Sequence, residues 1–70
     1  MPVTAHDGFK IRSFSDGTLF RARVERNDGA EFQANGKPTR VWETPQHMDA
    51  AAAVGQAIYA IDTGKLKSVT

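Results

Sequence analysis

The segment Leu19–Arg26 limits the possible folds more than any other stretch, because its residues alternate in character with a period of two. Phe20, Ala22 and Val24 occupy alternate positions, and mostly charged residues lie between them. This is the period of a β-strand with one buried face and one face in water. The sequence therefore predicts a half-buried strand that needs a covering layer on its Phe/Ala/Val face.

A shorter segment with the same alternation precedes this strand. Residues 9–13 place Phe9 and Ile11 on one side and basic residues on the other, which predicts a first strand. Ser15, Asp16 and Gly17 predict a tight turn between the two strands, because glycine accepts positive φ and aspartate hydrogen-bonds to its own backbone. Residues 1–8 show no period, so we expect them to form a loose lead-in.

Two further segments come after the central strand. Residues 30–33 are short and ambiguous as a third strand. Residues 40–43 are the last candidate, with Val41 on the buried face and Arg40 and Trp42 on the opposite face. The sequence therefore predicts three or four antiparallel strands.

The period changes after Pro45, where apolar residues recur at intervals of three and four. The recurring positions are Ala50, Ala53, Val54, Ala57, Ile58 and Ile61. This spacing predicts an amphipathic helix that begins at residue 46 or 49 and ends at residue 62. Thr44 or Asp49 is expected to cap its start, and Gly64 is expected to stop it.

Packing of this helix across one face of the sheet would bury both apolar surfaces. We therefore predict an α+β fold in the order β-β-β-α, an antiparallel three- or four-stranded β-meander packed on one C-terminal α-helix. Seventy residues suffice for a single small domain, residues 1–70, with residues 65–70 as a tail.

The face of the predicted sheet that points away from the helix is rich in basic residues. Alternation places five basic residues and one acidic residue, Glu25, on this face, beside a tryptophan. The candidate nucleic-acid-binding residues are Lys10, Arg12, Arg21, Arg23, Arg40 and Trp42. Arginine binds phosphates or guanine edges, and an exposed tryptophan can stack on a base. Three interpretations are open: a solvated sheet surface, a DNA-binding surface, or a protein-binding or oligomer surface.

The last strand and the helix resemble those of a known family. The run Arg-Val-Trp-Glu-Thr at residues 40–44, followed by the alanine-rich residues 48–61, is similar to the end of plant ethylene-responsive-element-binding domains. Those domains combine a three-stranded sheet with one helix and place sheet arginines and tryptophan in the DNA major groove. The arm-binding domains of tyrosine recombinases are similar in architecture. The resemblance covers residues 9–62 and implies DNA contacts from the sheet. The residues at the matching positions are Arg12, Arg21, Arg23, Arg40 and Trp42.

The other side of the predicted helix carries a second apolar stripe, made of Met48, Ala52, Gly55 and Tyr59. A helix that is apolar nearly all round is usually buried on more than one side. Glycine inside a helix costs about 1 kcal/mol relative to alanine unless something uses the space. The stripe is therefore either a surface of good helix formers or an interface for a second copy of the chain.

Composition narrows the function further. The chain has nine Lys and Arg, eight Asp and Glu and no cysteine, which gives a net charge of +1. No disulfide or zinc–thiolate site is possible, and no residue pattern predicts a catalytic site, a metal site or a cofactor. No segment predicts a signal peptide or a membrane span. We therefore expect a soluble, cytoplasmic, non-enzymatic interaction module with no membrane partner. It binds DNA through the basic face or, alternatively, another protein or a second copy of itself through the second helix stripe.

Overall fold

The computed structural model describes residues 3–68, which form seven short strands and one helix. The elements are β1 (Thr4–His6), β2 (Phe9–Asp16), β3 (Leu19–Arg26), β4 (Phe32–Ala34), β5 (Lys37–Thr39), β6 (Trp42–Glu43), α1 (Ala50–Asp62) and β7 (Leu66–Ser68). They make a four-stranded sheet in the order β1-β2-β3-β6 and a three-stranded sheet in the order β5-β4-β7. All neighbouring strands are antiparallel. The predicted α+β class, with antiparallel pairing and one C-terminal helix, is confirmed.

The two long strands, β2 and β3, form the centre of the first sheet. They pair along their whole length, from Phe9 opposite Arg26 to the two-residue turn after Asp16. The predicted turn residues Ser15 and Asp16 therefore belong to β2, and residues 17–18 form the turn. Ile11 lies opposite Val24, and both side chains are buried in the core. The predicted hairpin and the predicted inward face of the central strand are therefore confirmed.

A strand replaces part of the loose lead-in predicted at residues 1–8. Thr4–His6 pairs with β2 through a turn in which Asp7 and Gly8 have φ of +54° and +86°. Two positive φ values in a two-residue loop are typical of a type I′ hairpin turn, for which Asp-Gly is a preferred pair. The lead-in prediction is wrong here because the Asp-Gly pair joins two strands.

The second sheet is a feature that the sequence pattern does not predict. Asn35 and Gly36, with φ of +54° and +82°, form another turn of this type and join β4 to β5. The other partner of β4 is β7, which arises from the segment predicted as a tail at residues 65–70. Leu66 in β7 is buried in the core. The first sheet has four strands because β1 joins it, whereas the ambiguous third strand predicted at residues 30–33 becomes β4 of the second sheet. Residues 69–70 of the predicted tail lie outside the described residues.

The helix α1 is capped at both ends. Asp49 accepts a hydrogen bond of 2.7 Å from the N–H of Ala52, which satisfies one of the free N–H groups of the first turn. At the other end, the N–H groups of Gly64 and Lys65 donate to carbonyls of the last turn, and Gly64 has a φ of +84°. These bonds form a Schellman motif. The predicted helix is confirmed, with Asp49 rather than Thr44 as its cap.

The core lies between the helix and both sheets. Its buried residues are Phe9, Ile11, Ala22, Val24, Phe32, Ala34, Ala53, Ala57, Ala60, Ile61 and Leu66. The rings of Phe9 and Phe32 meet edge to face with centroids 5.2 Å apart and so join the two sheets. The helix contributes mainly alanine, whose small side chain lets it lie close to the strands. The opposite side of the first sheet is called the open face below.

Candidate interaction surfaces

Four of the six predicted nucleic-acid-binding residues share the open face. Lys10 and Arg12 alternate with the buried residues of β2, and Arg21 and Arg23 alternate with those of β3. In the register of the sheet, Arg12 lies opposite Arg23, and Lys10 lies opposite Glu25. Alternation along the two long strands thus brings these four basic side chains onto one surface.

The other two predicted residues do not join them. Trp42 lies opposite the fully buried Val24 and packs against the hydrophobic core on the helix side. Arg40 is exposed in the connection between β5 and β6, outside both strands. Val41, which the sequence assigns to the buried face, is 43% exposed. The predicted faces of this strand are wrong because β6 has only two residues, too few for a period, and the larger apolar surface of tryptophan is buried instead.

This change of face brings Glu43 onto the open face, where it contacts both arginines of β3. Glu43 lies opposite Arg23 and accepts hydrogen bonds of 3.1 and 2.9 Å from its guanidinium. Arg21 donates a hydrogen bond of 2.8 Å to the carbonyl of Thr44. Its guanidinium also lies 3.7 Å from the carboxylates of Asp16 and Glu43. Both arginines are therefore engaged by contacts within the sheet.

The open face is consequently close to neutral. Its basic residues are Lys10, Arg12, Arg21 and Arg23, and its acidic residues are Asp16, Glu25 and Glu43. Four positive and three negative charges give +1, whereas the sequence predicts +4 from five positive charges and one negative charge. Among the described residues, Lys10 and Arg12 have no carboxylate within ion-pair distance. The charge asymmetry that favours a nucleic-acid partner is much reduced.

The aromatic side chain of the open face is Phe14, which the sequence analysis does not identify. Phe14 lies opposite Arg21, and the guanidinium carbon of Arg23 lies 5.5 Å from its ring centroid. This distance is typical of a cation–π contact. The signal was available, because alternation continued past residue 13 places Phe14 on the same face as Arg12.

A buried hydroxyl holds the segment between β6 and the helix. Thr44 is fully buried, and its Oγ1 accepts a hydrogen bond of 3.0 Å from the N–H of Ala22 and donates one of 2.9 Å to the carbonyl of Pro45. Further along, Phe20 and His47 exchange backbone hydrogen bonds of 2.9 and 2.8 Å. Thr44 pairs with Ala22, and His47 pairs with Phe20. Thr44 and His47 are three residues apart in the chain, whereas Ala22 and Phe20 are two residues apart. The segment therefore carries one extra residue, as in a β-bulge.

The outer helix face consists of Met48, Ala52, Gly55 and Tyr59, the residues of the predicted alternative interface. Met48 is 83% exposed and Tyr59 is 63% exposed, and Ala52 and Gly55 are exposed as well. A β-carbon placed on Gly55 would have no other atom within 4 Å, so packing within residues 3–68 does not require glycine there. No charged residue occurs at positions 50–61. The outer helix face is therefore exposed and carries no charge of its own, and the helix ends one turn after Tyr59 at the carboxylate of Asp62, which lies 2.8 Å from His6 of β1.

Residues 3–68 contain no group of three or more His, Asp and Glu side chains that could hold a metal ion. In the same part of the chain, no helix has both the length and the apolar character needed to cross a membrane. No protein-family model, curated protein or solved structure matches this chain.

Proposed function

We propose that this chain is a non-enzymatic interaction module that dimerises with a second copy of itself through the outer helix face. The observation that carries the proposal is that α1 has one side in water and yet carries no charged residue before Asp62, its last residue. A surface helix normally carries charged and polar residues on its outer side. A helix that exposes Met, Ala, Gly and Tyr instead has the composition of a surface that is covered by a partner.

The position of Gly55 supports a partner that approaches closely. Glycine in a helix interior lowers stability by about 1 kcal/mol relative to alanine. Within residues 3–68 no atom occupies the space beside it. Ala52 lies one turn earlier on the same side and is also exposed. Two small residues on one side of a helix allow another helix to pack at a short interaxial distance.

The arrangement of the four residues fits a second copy of this chain. The midpoint between Met48 and Tyr59 in the sequence is also the midpoint between Ala52 and Gly55. Two antiparallel helices related by a two-fold axis at that point bring Ala52 of one copy to Gly55 of the other. They also direct Met48, which lies two residues before the helix start, towards Tyr59 of the other copy. Methionine sulfur makes favourable contacts with aromatic rings. Antiparallel helices also place positive and negative dipole ends side by side.

The small size of the chain gives a physical reason for dimerisation. A chain of 70 residues without cysteine buries a limited share of its surface and has no disulfide to add stability. The residues that α1 contributes to the core are Ala53, Ala57, Ala60 and Ile61. Complete burial of one large apolar side chain contributes about 1.5–3 kcal/mol. Covering Met48 and Tyr59 would therefore add substantially to a small core.

Sedimentation equilibrium over a wide concentration range tests the proposal. We expect the mass of two chains, with a shift towards one chain on dilution. Tyr59→Lys should weaken association strongly, because it introduces a charge into the uncharged outer helix face. Val41→Lys is the matched control, since Val41 is an exposed apolar residue outside the helix, and it should leave association unchanged. A single-chain mass at the highest concentration, or equal effects of the two variants, would exclude the proposal.

DNA binding is the competing proposal, and this geometry supports it less. Arg21 and Arg23 are engaged within the sheet, and Trp42 packs against the core. DNA contacts would therefore depend mainly on Lys10 and Arg12. Titration of labelled duplex DNA at low and moderate salt separates the two proposals, because phosphate contacts weaken as salt rises. Salt-sensitive binding that Arg12→Ala reduces would favour DNA, and the absence of binding at low salt would exclude it.

A further inference from the structure

A cleft of about 270 Å³ lies between the β4–β5 turn and the turn that ends the helix. Its lining residues are Gln33, Asn35, Gly36, Gly64, Lys65 and Lys67. None belongs to the open face or to the outer helix face. The cleft is thus a separate surface of the molecule, and ligand binding there does not require dimerisation.

The lining consists of hydrogen-bond donors and contains no acidic residue. Lys65 and Lys67 supply two ammonium groups, and Gln33 and Asn35 supply two carboxamides. These four side chains make no hydrogen bond and no ion pair within residues 3–68. They differ in this respect from Arg21 and Arg23, whose guanidinium groups are paired inside the sheet. The cleft therefore holds two positive charges and several donors that the described protein does not use.

The backbone beneath these side chains is fixed by paired strands. Gln33 lies opposite Lys67, and the N–H of Asn35 donates a hydrogen bond of 2.9 Å to the carbonyl of Lys65. Ala34 and Leu66 alternate with these residues and are buried in the core, so Gln33, Lys65 and Lys67 point away from it. The cleft thus presents its donors from one rigid ladder.

The side chain of Lys67 lies across the turn that ends the helix. Its Cε would be 3.2 Å from a β-carbon at Gly64, so glycine at this position leaves room for the lysine stem. The carbonyls of the last helical turn have a partial negative charge, which opposes an anion. The N–H groups of Thr63, Gly64 and Lys65 bond to several of these carbonyls and satisfy them as acceptors. The remaining partial charge of the helix end is opposed by the two ammonium groups of the cleft.

We infer that this cleft binds a small oxyanion of the phosphate class, held by Lys65 and Lys67 with the carboxamides as additional donors. Ammonium groups and amide N–H groups are donors for phosphate oxygens, and charge-assisted bonds of this kind are the stronger ones. A divalent cation is excluded by the lack of carboxylates in the lining. The volume accommodates one phosphate group with a small substituent, so both inorganic phosphate and a phosphate monoester fit this chemistry.

Titration with inorganic phosphate at constant ionic strength, followed by the backbone amide signals of Gly36 and Gly64 in NMR spectra, tests the inference. We expect saturable shifts at these two amides. Lys65→Gln and Lys67→Gln should each weaken binding about two- to fivefold, as expected for one exposed charge pair. The matched control is Lys37→Gln, because Lys37 is an exposed lysine of β5 that does not line the cleft. It should leave binding unchanged.

A second titration with phenyl phosphate distinguishes a monoester from free phosphate by comparing the two dissociation constants. Either ligand binding with the stated lysine dependence supports the inference. Linear, non-saturating shifts, or equal losses of phosphate affinity in Lys37→Gln and Lys67→Gln, would overturn the inference. The two lysines of the cleft would then only balance the partial negative charge of the helix end. The dispersion of the same spectra verifies that every variant is folded.

Discussion

The hydroxyl of Thr44 takes the place of a backbone carbonyl in the first sheet. The Thr44 carbonyl accepts a hydrogen bond from Arg21, and the buried N–H of Ala22 pairs with the hydroxyl instead. A buried N–H that loses its acceptor costs about 1–3 kcal/mol. One oxygen atom therefore keeps the bulged segment attached to β3 just before the chain enters the helix.

Thr44→Val removes this hydroxyl while it preserves the size of the side chain. We expect the free energy of unfolding, measured by urea denaturation, to fall by about 1–3 kcal/mol, because the N–H of Ala22 stays buried without an acceptor. Thr39→Val is the matched control, since the Thr39 hydroxyl bonds to the exposed Val41. Water can replace that bond, so the cost should remain within about 0.5 kcal/mol. Equal costs at the two positions would contradict the role given to Thr44.

Asp28 gives a pH-dependent prediction. A side-chain hydrogen bond from Arg26, followed by the N–H of Ala30, holds the pKa of Asp28 below its usual value. A lowered pKa in the folded state adds stability that is fully present above the unfolded pKa of about 3.9 and is lost as pH falls through the folded pKa. Urea denaturation from about pH 6 to about pH 2 should therefore show a smaller loss of stability in Asp28→Asn than in the natural chain.

The control for this measurement is Glu31→Gln, because Glu31 is an exposed carboxylate without a partner in the described part of the chain. This substitution also removes one negative charge and leaves the contact between Asp28 and Arg26 intact, so it controls for the change in net charge. An Asp28→Asn profile that coincides with the natural one would show that the Arg26 contact adds nothing to stability.

The face of a residue can be predicted from the sequence in a long strand and not in a short one. Arg21 and Arg23 occupy the predicted face because eight residues of β3 establish a period. Trp42 does not, because β6 has two residues and its face depends on the partner strand. The contact between Glu43 and Arg23 depends on that pairing as well. The loss of the predicted cationic surface thus has two causes: the short strand β6 removes Arg40 and adds Glu43, and the extension of β2 adds Asp16.

Elements show the same dependence on length. The helix and the β2–β3 hairpin are predictable from periods that extend over many residues and from identifiable caps and turns. The strands β1, β5 and β7 have three residues each and no period of their own. The type I′ turns Asp7–Gly8 and Asn35–Gly36 are signals from which two of these strands can be inferred. The pairing of β4 with β7 is a tertiary contact for which the sequence offers no local signal.

The helix permits a prediction in which stability and association change in opposite directions. Gly55→Ala should raise the free energy of unfolding of the single chain by about 0.5–1 kcal/mol, because alanine is the better helix former and the space beside Gly55 is open. In the proposed dimer the added methyl group lies against Ala52 of the other copy and should weaken association. Urea denaturation at low concentration and sedimentation at high concentration measure the two effects.

The control for this helix prediction is Ala50→Gly, at a half-buried helical position on the other side of the helix from Gly55. It should lower the stability of the single chain and leave association nearly unchanged. If Gly55→Ala stabilises the single chain and does not change association, the proposal that two helices approach closely at Gly55 is contradicted.

At the scale of the whole molecule, the proposed dimer is a stack in which the two helices are central. Each helix packs on one side of its own sheet, so the two open faces lie on opposite outer sides of the assembly. Each outer side has the nearly neutral charge balance described above. This arrangement separates the two surfaces that the sequence singles out, since one becomes the interface and the other stays in contact with solvent.

Disulfide cross-linking tests the orientation of the two copies directly, because the natural chain has no cysteine and each variant then carries a single thiol. A disulfide requires Cα atoms within about 7 Å of each other. In the antiparallel arrangement, Met48→Cys chains mixed with Tyr59→Cys chains should form a mixed disulfide, and each variant alone should form little. Mass spectrometry distinguishes the products, since the two variants differ in mass.

The opposite pattern, in which each variant cross-links to itself and the mixture adds nothing, would indicate parallel helices and contradict the two-fold arrangement. Val41→Cys mixed with either variant gives the level of cross-linking that arises from collisions, because Val41 lies outside the helix. A mixed disulfide above that level requires that Met48 and Tyr59 of different copies meet. If sedimentation shows a dimer but this disulfide does not form, the chain self-associates but Met48 of one copy does not meet Tyr59 of the other. The proposed antiparallel pairing of the two helices would then be wrong.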